Sequence, residues 1–221
     1  MTFVSEFRAG ISPILNLVYP PRCPVCGVPV AEHGGLCLDC WSQIEAPSDP
    51  MVEGDAVIAA CLYNDISRDL ILQFKHGGKI GHAQLMARMM AACLDDEMSG
   101  GRRAIVPVPL HRMRLWHRGY NQAALLACEL AKYGKGDPLI DGLIRIKRTP
   151  SLGGLSKEER QRALSGTISV AKPRAAAVAG RDILLVDDVY TSGATAGACV
   201  KALSDAGAKS VQVVCFARVA N

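Results

Sequence analysis

The chain has 221 residues, 49% hydrophobic and 21% charged, which argues for a globular molecule of one domain plus a small appendage. No stretch approaches the ~18 uncharged apolar residues that a membrane span needs, so none is expected. The net charge of +4 hides an asymmetry: residues 1–100 carry 6 Lys/Arg against 12 Asp/Glu, a net of −6, and residues 101–221 carry 19 against 9, a net of +10. A basic half favours anionic partners such as phosphates, nucleotides or nucleic acid.

The N-terminal "MTFVSEFRAGISPILNLVYPP" has no basic region before its apolar positions and no small-residue cleavage site, so no signal peptide is expected. A cytoplasmic location with reduced cysteines is the corresponding expectation. Phe3, Phe7, Ile11, Ile14, Leu15 and Val18 recur at roughly helical spacing and predict an amphipathic docking helix.

"CPVCGVPVAEHGGLCLDC" then holds Cys23, Cys26, Cys37 and Cys40 as two Cys-x2-Cys pairs. Such pairs fold back as knuckles and can present four thiolates tetrahedrally to Zn²⁺. A closed set of four thiolates leaves no open position, so the expected zinc is structural. His33 lies between the pairs and could replace a ligand. The other five cysteines, Cys61, Cys93, Cys128, Cys199 and Cys215, sit in apolar segments and read as small core residues. Residues 1–48 are expected to form the N-terminal helix and four-cysteine module, and residues 49–221 the larger domain.

"APSDP" (46–50) reads as a linker. "AVIAACLY" (56–63) is β-compatible, and residues 67–76 and 81–97 have helical periodicity. "AIVPVPL" (104–110) predicts a buried strand whose prolines put its end at an edge or turn. Residues 121–134 predict a helix with Gly134 near its C-cap. "LIRI" (143–146) can be a strand, followed by a Gly-, Ser- and Lys/Arg-rich stretch over 147–162. "DILLVDD" predicts a strand, "GATAGACVKALSDAG" a helix and "SVQVVCFARV" a final strand. Strands alternating with helices predict an α/β fold with a mostly parallel sheet.

In such a sheet ligands sit beyond the carboxyl ends of the strands. "ILLVDDVYTSGAT" (183–195) puts Asp187 and Asp188 there, then a turn, then a helix opening near Gly193. Backbone N–H groups of Thr191 through Thr195, with the hydroxyls of Thr191, Ser192 and Thr195, make an anion site aided by the helix N-terminus. The carboxylates carry the wrong charge for a phosphate. They suit the vicinal hydroxyls of a ribose, or Mg²⁺. Together the parts predict a ribose 5-phosphate cradle. Neither G-x-x-x-x-G-K-[ST] nor a post-strand G-x-G-x-x-G occurs.

That segment resembles the phosphoribosyl pyrophosphate (PRPP) signature of type I phosphoribosyltransferases. The resemblance implies that fold, with Asp187 and Asp188 on the ribose hydroxyls and Thr191, Ser192, Gly193, Ala194 and Thr195 on the 5-phosphate, and Mg²⁺ bound with PRPP. "IVPVPLHRMRLWHRGYNQAALLACELA" and "YPPRCPVCG" resemble the ComF family, in which a four-cysteine zinc module joins a phosphoribosyltransferase domain. This resemblance spans roughly residues 12–218. It implies a part in natural competence and in handling incoming single-stranded DNA, with DNA-uptake or recombination proteins as possible partners.

The "RGYNQ" block (118–122) and the loop before it would form the pyrophosphate side. Lys75, Arg112, Arg114, Arg118, Tyr120 and Asn121 are the candidates there or for DNA, with His117 beside them. Asp187, Asp188 and Arg118 are the catalytic candidates if transfer occurs. Arg148, Lys157, Arg160 and Arg162 would ride on a mobile loop. The family usually has Gln at Leu152, Asn at Ala163 and an aromatic at Ile168. The alternatives are an active transferase moving ribose 5-phosphate to an unidentified acceptor, and a catalytically silent PRPP sensor. "RMRLWHRGYNQ" also interleaves Arg112, Arg114 and Arg118 with Trp116 and Tyr120, a pattern for phosphate contacts and base stacking.

Overall fold

The computed structural model describes residues 19–48, 51–52, 55–76, 80–95, 103–146, 159 and 166–220. The expected N-terminal helix lies outside the described residues, as do Leu152, Ala163, Arg148, Lys157, Arg160 and Arg162.

Among the described residues a cysteine-rich module with one short helix, α1 (Leu38–Ser42), comes first. The larger domain contains β1 (Met51–Val52), β2 (Asp55–Leu62), α2 (Asp65–His76), α3 (His82–Ala92) and β3 (Ala104–Pro107). Next come α4 (Arg112–Arg118), α5 (Gln122–Lys132), β4 (Asp137–Pro138), β5 (Leu143–Arg145) and β6 (Ile168–Val170). The chain closes with α6 (Ala175–Val178), β7 (Asp182–Tyr190), α7 (Ala194–Asp205) and β8 (Ser210–Arg218). One sheet runs in the order β1-β2-β8-β7-β3-β4, parallel except for the β1–β2 pair. Although β8 is last in sequence it lies inside the sheet, between β2 and β7. The "LIRI" strand, β5, pairs with β6 in a separate antiparallel ribbon.

Side chains of a strand alternate between faces, and β7 serves both of them. Leu184 and Val186 join the core built by Leu70 and Phe74 of α2, Met86 and Met90 of α3, and Leu126 and Leu130 of α5. Ile183 and Leu185 join the opposite core, with Cys199 and Leu203 of α7. Each fully buried side chain of this size contributes about 1.5–3 kcal/mol. Helices on both faces therefore make the "ILLV" run apolar throughout, as a parallel strand requires.

The cysteine module is fastened to this domain. Val25, Leu36 and Ile44 pack against the first core, Gln73 Nε2 donates to Pro24 O at 2.9 Å, and Asn64 Nδ2 donates to Gln43 O at 2.7 Å.

Three expectations change. β7 does not stop at the aspartates but pairs with β8 as far as Tyr190↔Arg218, because β8 keeps supplying ladder partners. The "RMRLWHR" segment forms a helix, α4, rather than a loop. Ile168, counted with the mobile loop, is a buried residue of β6 that packs in the second core.

Candidate functional site

The site forms because two neighbours leave β7 at different points. β3 pairs with β7 only to Pro107↔Val186, and Val108 N adds one last bond to Val186 O at 2.9 Å. Pro107 and Pro109 carry no N–H with which to continue the ladder. Beyond them the chain turns away, and a cavity of about 460 Å³ opens over Asp187 and Asp188.

Alternation decides what each carboxylate meets. Asp188, buried, faces α2, where Lys75 Nζ lies 2.9 Å from its Oδ2. Asp187 lies towards α7: burial pushes up the thiols of Cys199 and Cys215, and the Asp187 charge adds to it. The two acids are also joined, since Asp188 N donates to Asp187 Oδ1 at 2.8 Å. Withdrawal from water, and then the Asp188 charge, raises the Asp187 carboxyl well above the usual carboxylate range; Lys75 opposes this. Lys75, expected on the pyrophosphate side, thus stands at the acidic pair.

After Tyr190, residues Thr191, Ser192 and Gly193 turn the chain into α7. Gly193 is its N-cap, with φ of 71° and no side-chain cap, so neither Thr191 nor Ser192 is spent on capping. A Cβ on Gly193 would overlap the Tyr190 ring, whose hydroxyl lies beneath it. Thr191 and Thr195 line the cavity.

On the β3 side stand Arg114 and Arg118 of α4, with Asn121 and Gln122 at the start of α5. Arg118 Nη1 donates to Gln122 Oε1 at 3.1 Å. Asn121 caps α5 by accepting from Ala123 N at 3.1 Å, and its Nδ2 holds Val108 O at 3.1 Å. Tyr120 donates its hydroxyl to Phe74 O and packs on the Phe74 ring, with centroids 6.2 Å apart. It props the loop from below. Arg112 lies outside the cavity and lines a neighbouring pocket of about 660 Å³ with Leu115 and Ile144.

Sequence reading did not select Tyr63, Leu72, Arg145 and Val219, which also line the cavity. Tyr63, Arg145 and Val219 stand at or just beyond the ends of separate elements and Leu72 lies within α2, and no local pattern marks them.

The cysteines form the second site. Cys23 N donates to Val28 O at 2.8 Å and Gly27 N to Cys23 O at 2.9 Å, closing the first knuckle on Gly27 with φ of 76°. In the second, Cys40 N donates to Cys37 Sγ at 3.4 Å at the start of α1. The Sγ atoms of Cys23, Cys26, Cys37 and Cys40 lie within 4.8 Å of one another, with Cys26 and Cys37 at 3.5 Å. Zn–S bonds of about 2.3 Å in a tetrahedron put sulfurs roughly 3.8 Å apart, so the donor set fits structural Zn²⁺. Burial raises the Cys23 thiol, but hydrogen bonds from the backbone of Cys26, Cys37 and Val25 outweigh it and bring it to about 6. This favours the thiolate a metal needs. His33 is not part of the cluster.

Among the described residues no helix is long and apolar enough to cross a membrane. Residues 14–52 match the double zinc ribbon domain and residues 123–221 the phosphoribosyl transferase domain. Among solved structures, glutamine phosphoribosylpyrophosphate amidotransferase from B. subtilis aligns at TM-score 0.42 and 17% identity, over 65% of this chain and 30% of that one. A hypoxanthine phosphoribosyltransferase from Staphylococcus aureus aligns at 0.40 and 16%, over 65% and 69%. The DNA utilization protein YhgH of Escherichia coli K12 is 29% identical over 209 residues, 89% of this chain and 83% of that protein. Competence protein ComFC of Bacillus subtilis is 30% identical over 196 residues, 88% and 75%. Competence protein F of Haemophilus influenzae is 31% identical over 202 residues, 90% of this chain and 85% of that protein. Similarity at that level, running from the cysteine module through the acidic pair, places this chain in the ComF family, with a type I phosphoribosyltransferase fold behind its zinc module.

Proposed function

We propose that this protein binds PRPP or a related phosphoribosyl ligand at Asp187 and Asp188, and that it assists the uptake or handling of single-stranded DNA. The observation that carries the first half is the convergence, in one cavity, of an acidic pair, a hydroxyl-bearing turn at a helix N-terminus, and three arginines, Arg114, Arg118 and Arg145. Carboxylates accept from ribose hydroxyls. The 191–195 turn and the start of α7 offer N–H groups to a 5-phosphate. Arg114 and Arg118 suit a diphosphate. Mg²⁺ would arrive with that diphosphate and neutralise part of its charge. We assign residues 49–221 to this ligand-binding domain and residues 1–48 to the zinc module.

The second half is supported by α4 and by the names of the relatives. No acidic residue and no buried side chain lies in α4, which carries Arg112, Arg114 and Trp116. Competence and DNA utilization are what those relatives are named for.

Thermal unfolding with PRPP and Mg²⁺ tests the first half, with wild type beside Asp187→Asn/Asp188→Asn. Ligand at ~100 Kd stabilises the native state by about 2.7 kcal/mol. A shift in wild type that the double variant lacks is the expected result; no shift in wild type overturns the reading. Release of pyrophosphate on addition of acceptors separates an active transferase from a PRPP sensor.

A further inference from the structure

Three consecutive residues in the last turn of α2, Gln73, Phe74 and Lys75, make three unlike attachments. Gln73 Nε2 donates to Pro24 O at 2.9 Å, and Pro24 sits inside the first knuckle, between Cys23 and Cys26. Phe74 O accepts from the hydroxyl of Tyr120, which lies in the connection between α4 and α5. Lys75 Nζ stands 2.9 Å from Asp188 Oδ2, and both residues line the cavity. Successive residues of a helix point about 100° apart, so a single turn can face the zinc module, the core and the ligand site.

The last four carbonyls of a helix have no partner within it, and Phe74 O is one of them in α2. The place of this turn therefore depends on contacts from outside the helix. The fully buried Phe74 ring belongs to the core cluster on which Val25 and Leu36 of the cysteine module pack, as does Tyr120. A second tie of the module, Asn64 Nδ2 to Gln43 O at 2.7 Å, lies at the opposite end of α2.

We propose that Gln73 is a positioning residue: through it the zinc knuckle fixes the last turn of α2, and so sets the Lys75–Asp188 pair and the Tyr120 connection for the ligand. The cavity then binds its ligand most tightly when the knuckle is closed on its metal. This rests on the phosphoribosyl reading above. Coupling between two sites through a shared element is typically about 5- to 150-fold, and a link made by one hydrogen bond belongs at the lower end.

Calorimetric titration with PRPP in excess Mg²⁺ tests this on zinc-loaded wild type, Gln73→Leu and Asn64→Ser. Gln73→Leu removes the donor at similar size and leaves the four cysteines in place. It should keep its zinc yet bind PRPP about fivefold more weakly. Asn64→Ser loosens the module at the far end of α2, while its hydroxyl can still accept from Ser67 N as Asn64 Oδ1 does at 3.1 Å. It should bind PRPP as wild type does, which tells a displaced last turn from a generally loosened module. Zinc-free wild type, dialysed against a chelator and returned to Mg²⁺, should match Gln73→Leu. Removing zinc from Gln73→Leu should cost no further affinity, because the link is already cut. Melting curves identify a zinc-free protein that fails to fold, and the zinc-loaded variants then decide. Wild-type affinity in zinc-loaded Gln73→Leu overturns the proposal, as does an equal loss in Asn64→Ser, and either result leaves the phosphoribosyl reading standing. If zinc-loaded wild type does not bind PRPP, that reading falls and the coupling with it.

Discussion

Lys75 Nζ lies 2.9 Å from Asp188 Oδ2, so the acidic pair at the head of β7 closes on a cation supplied by α2. The side chains are 23% and 11% exposed, which is buried enough for loss of the cation to be felt. Lys75→Met should cost about 1–3 kcal/mol near neutral pH, the lower part of the range for an uncompensated buried charge. Urea denaturation of wild type and variant measures it.

Asp187 makes an opposite contribution. Burial, and then the Asp188 charge, raises its carboxyl in the folded protein above its unfolded value. The fold therefore prefers the protonated form. The associated stability is complete below about pH 4 and is lost as pH climbs through the raised folded value. Asp187→Asn, which cannot ionise, should be more stable than wild type at alkaline pH, with the advantage vanishing in acid. Parallel stability-versus-pH profiles for the two proteins would refute this.

Gly193 couples the turn to the strand beneath it. Its left-handed φ and the Tyr190 ring under it leave no room for a Cβ. Gly193→Ala should destabilise the chain by about 1–2 kcal/mol from backbone conformation alone, with more from the overlap. It should also weaken PRPP binding, since the turn is displaced. Retained affinity together with retained stability would remove Gly193 from the cradle.

Zinc should be structural. Purified protein should carry one zinc per chain, and chelation should cost the amides of the 19–48 module their hydrogen-exchange protection. Val25, Leu36 and Ile44 pack on the main core, so chelation should lower the melting temperature of the whole chain as well. Cys37→Ser should reproduce both effects, because it removes one of the four clustered thiolates while its hydroxyl can still accept from Cys40 N at the start of α1.

Local chemistry made much of this architecture legible in sequence. Paired Cys-x2-Cys spacing, an apolar strand running into two aspartates, and hydroxyls around Gly193 each state a constraint within a few residues. Order across the sheet is different: nothing in "SVQVVCFARV" says that β8 lies between β2 and β7. For the same reason Tyr63 and Val219, some 150 residues apart, could not be foreseen in one cavity. Lys75 is legible in sequence as a candidate, but its ion pair with Asp188 is not. Its distance from Asp188 depends on the packing of α2 against β7, and no local motif encodes that. The extension of β7 past its aspartates likewise reflects the partner strand, since Val189 and Tyr190 pair with Ala217 and Arg218.

Trp116 and Tyr120, four residues apart, should behave as opposites in DNA binding. Trp116 is 79% exposed on α4, whereas Tyr120 is anchored to Phe74 O. Trp116→Ala should leave stability within about 0.5 kcal/mol of wild type, as at other exposed positions. It should nevertheless weaken single-stranded DNA binding by about 1–3 kcal/mol, the worth of one stacked base. Tyr120→Phe should do the reverse, costing about 1 kcal/mol of stability for the lost hydrogen bond and little DNA affinity. Charge is separable from stacking. Arg112→Ala should make the slope of log K against log salt shallower by about 0.7, one phosphate contact on a single strand, while Trp116→Ala should leave the slope alone. Fluorescence anisotropy with a labelled oligonucleotide, across a salt series, reads both quantities. Wild-type affinity that stayed flat with salt would remove the arginines of α4 from any DNA interface.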